Sequence, residues 1–261
     1  MRRTQPLLAL LTAALALALA LSGPAGANVT AALQASLKPE QLGGETTVGF
    51  GFHLTEHGRQ LPPPLTGFEL RYPVQLGFAV SELGLDTCTA KTLETHGPHG
   101  CPANSIMGHG RALGELAVKH QVIYEEGLLT IARTSDPSGH LALLFFTEAY
   151  TPVLDEIIFN GALLPAHPPF GGRLTVDVPL LESYADGPDI SVVSFQSTIG
   201  PQDLSYHELR HGKVVLYKPR GIAVPNKCPH GGFLFSAQFT FQDESHASAR
   251  TTVPCPQKRK R

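Results

Sequence analysis

The sequence predicts an all-β fold, an antiparallel β-sandwich formed as one large or two packed sandwiches, with a short helix inside the first cysteine loop. Three observations predict it. The 26 glycines and 22 prolines are spread through 261 residues, and either residue interrupts a helical ladder. Short β-prone runs recur at roughly ten-residue spacing, as in sandwich folds. Several of those runs alternate apolar and polar side chains, the period of a half-buried strand.

Taken in order, residues 46–55 (TTVGFGFHLT) set Thr46, Val48, Phe50 and Phe52 against Thr47, Gly49, Gly51 and His53. A break follows at Leu61-Pro62-Pro63-Pro64. Residues 89–96 (TAKTLETH) alone read as helix, one or two turns long. Residues 127–134 (GLLTIART), 139–147 (GHLALLFFT), 153–159 and 173–178 (RLTVDV) are strand-like, with a Pro/Gly-rich interruption over 165–172 that marks a possible subdomain boundary. Residues 190–197 (ISVVSFQS), 213–217 (KVVLY), 233–241 (FLFSAQFTF) and 247–253 (ASARTTV) continue the series, the last two joined by a turn at Gln242-Asp243-Glu244-Ser245.

The N-terminus reads as a secretory signal peptide. Arg2 and Arg3 precede an apolar run over 7–21 and then Ser22-Gly23-Pro24-Ala25-Gly26-Ala27, so cleavage is expected before Asn28. The run is too short for a spanning helix of about 20 residues, and no second segment is long enough to serve as one. The mature chain is expected to be secreted or associated with the cell envelope. Without Arg2 and Arg3, 18 Lys and Arg stand against 22 Asp and Glu, a balance with no general attraction to nucleic acid or to an anionic membrane. The terminal Gln257-Lys258-Arg259-Lys260-Arg261 reads as a basic, disordered tail.

The cysteines are Cys88, Cys101, Cys228 and Cys255. An even number in an exported chain favours two disulfides. Three pairings are possible. Cys88–Cys101 with Cys228–Cys255 is favoured because each pair brackets a compact Pro/Gly-containing segment.

One motif raises catalysis. His207-Glu208-Leu209-Arg210-His211 has the His-Glu-x-x-His spacing of zinc proteases, which need both imidazoles on one helix face and the glutamate on the metal-bound water. Its context opposes a helix: Gly200-Pro201 lies upstream, Gly212 follows directly, and 213–217 reads as strand. On an extended strand the two histidines stand about 13 Å apart. A further ligand would have to be Glu244, in the expected turn. His96-Gly97-Pro98-His99-Gly100-Cys101 offers zinc or copper ligands, but a disulfide would occupy Cys101. Asn104-Ser105-Ile106-Met107-Gly108 lacks the first glycine of a nucleophile elbow, and Gly108 to Gly114 misses the dinucleotide spacing by one residue. A glycosidase pair of carboxylates is left open. Asn28-Val29-Thr30 is a glycosylation sequon.

Residues 46–52 (TTVGFGF), Leu61-Pro62-Pro63-Pro64-Leu65, Cys101-Pro102-Ala103-Asn104-Ser105, Cys228-Pro229-His230-Gly231-Gly232-Phe233 and Val253-Pro254-Cys255-Pro256 together resemble a group of secreted β-rich proteins of actinobacteria, with immunoglobulin-like or β-sandwich folds. The resemblance covers most of the mature chain. It implies export and a β-sandwich, and transfers no catalytic residue.

The expectation is therefore a secreted, disulfide-stabilised β-sandwich protein with a binding or cell-envelope structural role, without catalysis or a cofactor. Its partner would be an extracellular protein or a cell-wall polymer. The alternative is a secreted zinc-dependent hydrolase using His207, Glu208 and His211.

Overall fold

The computed structural model describes residues 29–57, 61–74, 76–77, 82–151, 154–183 and 187–256. The expected leader and the basic tail lie outside these residues. Among the described residues fourteen strands and one α-helix follow in order: β1 (Val29–Lys38), β2 (Glu45–Glu56), β3 (Leu65–Pro73), α1 (Ala90–His96), β4 (Ile106–Val118), β5 (Gln121–Ser135), β6 (Leu141–Thr151), β7 (Asp155–Pro165), β8 (Phe170–Asp177), β9 (Ser191–Ile199), β10 (Tyr206–Arg210), β11 (Lys213–Tyr217), β12 (Ile222–Ala223), β13 (Phe233–Phe241) and β14 (His246–Val253). The all-β antiparallel class and the helix in the first cysteine loop are as expected. Among the described residues no helix is long and apolar enough to cross a membrane.

The main sheet runs β1-β2-β9-β4-β5-β6-β7-β8-β3-β13-β14, with β12 added to β2. β14 lies against β1, so the sheet curls almost into a barrel. The two layers of the expected sandwich are opposite walls of this one sheet. Pro165 pairs with Gly172, which makes 165–172 the turn between neighbouring strands β7 and β8.

Alternation decides which side chains enter the barrel. Phe50 and Phe52 from β2, Phe68 from β3, Phe145 from β6, Phe195 from β9, and Phe233, Phe235, Phe239 and Phe241 from β13 are all buried. Phe52 is the hub: its ring stacks on Phe195 at 5.4 Å and meets Phe239 edge-on at 4.9 Å. Such aromatic pairs contribute about 0.5–1.5 kcal/mol beyond their burial.

β6 differs from its neighbours because 142–147 are buried on both faces. Leu143 and Phe145 point into the barrel, whereas Leu144 and Phe146 pack outside it with Leu93 of α1, Ala132, Cys88 and Cys101. A strand covered on both sides needs a continuous apolar run, which explains LALLFFT. Thr89 caps α1 by accepting from Thr92 N, and Gly97 ends it at φ 61°.

Both favoured disulfides form. Cys88–Cys101 fastens α1 beside β5 and β6, and Cys228–Cys255 ties the segment before β13 to the end of β14, with Cα separations of 5.3 and 5.8 Å.

Candidate functional site

At one end of the barrel the aromatic filling stops. Phe52, Phe68, Phe159 and Phe195 form a floor, and above it opens a chamber of ≈ 120 Å³. The space exists because β4, β5 and β6 contribute small side chains where the other strands contribute phenylalanine. Ala112 and Gly114 from β4, Gly127 from β5 and Ala149 from β6 all line it. Ala112 pairs directly with Gly127, and Gly114 with Glu125. A Cβ on Gly114 would come within 2.5 Å of Ile190 Cγ2, and one on Gly127 within 2.5 Å of Thr147 Cγ2.

The connection from β8 to β9 crosses the chamber's mouth, because β4 to β7 lie between those two strands in the sheet. It contributes Val178, Pro179, Leu181, Glu182 and Ser183 to the lining. Its two arms are joined by Ile190 N to Leu181 O at 2.9 Å and Ser183 Oγ to Pro188 O at 2.8 Å. Gln242 Nε2 donates to Asp189 Oδ2 at 2.7 Å, anchoring the strap to the β13–β14 turn.

Among the described residues the walls are apolar apart from Thr147, Ser183 and three carboxylates. Glu125 is half-buried on β5, while Asp155 and Glu182 are exposed at the rim. Among the described lining residues there is no lysine, arginine or histidine. The site therefore combines an apolar interior with a negative edge. A cavity of this size holds about one aromatic ring or a short hydrocarbon segment. A sugar, hydroxylated on every side, would find no polar partners along the Ile123, Ile157, Ile190 and Val192 walls, which weighs against a glycosidase pair here.

A second concavity, wide and shallow, lies outside the barrel over β1, β2, β9 and β4. Gln34, Lys38, His109, Arg111, Gln196 and Gln202 surround it. Burial holds the His109 imidazole below its ordinary pKa, with Asp203 opposing.

The residues singled out by sequence lie elsewhere. His207 and Glu208 sit on β10 and point to opposite faces, and His211 occupies the turn to β11 at φ 50°, so the five residues form no helix. Glu244 is in the left-handed position of the β13–β14 turn. Cys101 is disulfide-bonded and His96 and His99 are exposed. Ser105 is buried and donates to Pro102 O at 2.7 Å, so it presents no nucleophile. Among the described residues no three His, Cys, Asp or Glu side chains gather as metal ligands would. The chamber residues were not anticipated. Their signal is the alternation of Gly110, Ala112 and Gly114 with Arg111, Leu113 and Glu115, small side chains inward and large ones outward.

No family model, curated protein or solved structure matches the chain.

Proposed function

We propose that this is an exported, disulfide-braced binding protein, not an enzyme, whose barrel-end chamber holds a small apolar molecule bearing a cationic or hydrogen-donating head group. The observation that carries this reading is the chamber itself, largely apolar within and edged by Glu125, Asp155 and Glu182, with no basic side chain among the described lining residues. An apolar body would displace weakly held water from the aromatic floor. The carboxylates would favour an ammonium over a carboxylate at the mouth. Export is supported by the leader-like N-terminus and by the two disulfides, which persist in oxidising compartments.

Calorimetric titration with a matched series of single-ring arylalkyl amines, alcohols and carboxylates tests the reading. The expected order of affinity is amine, alcohol, carboxylate, and Ala112→Phe should abolish binding of all three. Binding that survives Ala112→Phe, or no binding of any member at millimolar concentration, would overturn it.

The outer trough favours a second reading. Lys38 and Arg111 beside several amide side chains, against Asp203 as the one acid among the described lining residues, suit an anionic cell-wall polymer, and pull-down on purified wall polymer with Lys38→Gln/Arg111→Gln as the control separates the two.

A further inference from the structure

The β10–β11 hairpin stands apart from the main sheet as a two-stranded sheet of its own. Its register pairs His207 with Leu216 and Leu209 with Val214 on one face, and Glu208 with Val215 and Arg210 with Lys213 on the other. In a soluble domain the apolar face of such a hairpin packs inward. Here it faces solvent: Leu209 is 73 % exposed, Val214 67 % and Leu216 62 %.

The root of the hairpin is fixed. Tyr206 is fully buried, and its hydroxyl accepts from Gly84 N and donates to Ile106 O, each at 2.8 Å. The Asn104 side chain acts as a surrogate strand for His207, donating to its carbonyl at 2.8 Å and accepting from its N–H at 2.9 Å. His211 and Gly212 take positive φ, the tight turn that suits the twist of a two-residue hairpin. The chain therefore holds an exposed apolar blade in a set position.

Charge and area identify what the blade meets. From Tyr206 to Lys218, Arg210, Lys213 and Lys218 stand against Glu208 alone, and Glu208 is paired with Arg210 at 2.6 Å, which leaves Lys213 and Lys218 in excess. This local excess of positive charge contrasts with the negative balance of the whole chain. Three apolar side chains fall far short of the ~800 Å² per partner that a stable protein interface buries. They suffice for an interfacial anchor, where a few apolar side chains act together with basic residues on anionic lipid. Five-residue strands are too short to span a bilayer, and their open edges keep backbone groups that must stay hydrated.

We infer that the β10–β11 hairpin is a membrane-contacting element, seating Leu209, Val214 and Leu216 at the headgroup level of an anionic bilayer with Lys213, beside the turn, reaching lipid phosphate. This surface is separate from the chamber, and either reading can fail without the other. Co-sedimentation of the mature chain with vesicles of equal phosphatidylglycerol and phosphatidylcholine, against phosphatidylcholine alone, tests it.

The wild type should partition onto the anionic vesicles and be released by salt. Leu209→Ser/Leu216→Ser should lower partitioning at least tenfold with an unchanged unfolding midpoint. Lys213→Gln should lower it several-fold on anionic vesicles only. Failure of the wild type to partition, or equal partitioning of the double variant, overturns the inference. So does a hairpin-dependent dimer in sedimentation velocity without vesicle binding, which would assign the face to a second copy.

Discussion

Glu125 on β5 faces Gly114 on β4 directly across the ladder, so the half-buried carboxylate stands beside a wall position that offers no side chain. Glu125→Gln preserves its shape and removes its charge. The dissociation constant for an arylalkyl amine should rise about tenfold, the equivalent of ~1.4 kcal/mol, while that of the matching alcohol stays within a factor of two or so. Calorimetric titration of both ligands reads the difference.

Tyr206→Phe removes the acceptor for Gly84 N and the donor to Ile106 O at a fully buried position. Leaving such groups unsatisfied costs about 1–3 kcal/mol. The urea midpoint should fall accordingly, and amide exchange in β10 and β11 should accelerate more than in β13, whose ladders to β3 and β14 do not depend on this hydroxyl.

The disulfides close loops with sequence separations of 13 and 27. In the chain-entropy model each contributes about 3–4 kcal/mol, the longer loop slightly more. Replacing both members of either pair by serine should lower stability by that amount in denaturant titration. A loss below about 1 kcal/mol for Cys228→Ser/Cys255→Ser would show that the β13–β14 end is held by its ladder alone.

Two turn carboxylates are held below the ordinary carboxylate pKa by the donors of their own turns. Asp136 accepts from the backbone N–H of His140, with the His140 side chain and the Ser138 N–H adding to it. Asp243 is lowered by the Ser245 side chain and backbone. Because the folded value lies below the unfolded one, each contributes stability that is complete above the unfolded pKa and disappears as pH falls through the folded one. Unfolding midpoints should be level from neutrality to about pH 5 and drop below about pH 4. Asp136→Asn/Asp243→Asn should make that drop shallower.

The strands with plain alternation or long apolar runs were legible in the sequence, since one buried face imposes a period of two and two buried faces impose a run. β1 was not, because VTAALQASLK carries alanine, leucine and glutamine that favour helix locally, and only the ladder to β2 makes it a strand. β4 was hidden for the opposite reason: its inward positions are glycine and alanine, so no apolar alternation marks it, yet those residues create the chamber. The near-closure of the sheet was illegible because it depends on partners far apart in the chain, such as Phe50 with Ser197 and Phe68 with Val176, which no local pattern encodes. His207 to His211 could be placed on a strand from its neighbours, but the outward turn of its apolar face required the register with β11.

The double burial of β6 has a consequence during biogenesis. Residues 141–146 (LALLFF) carry no charge and no proline, the composition of a segment that joins other chains into cross-β aggregates when uncovered. In the folded protein α1 covers the outer face, and α1 is tethered by Cys88–Cys101. A chain with this pair still reduced would carry the strand with a loosely held cover, so oxidation of Cys88 and Cys101 guards against self-association.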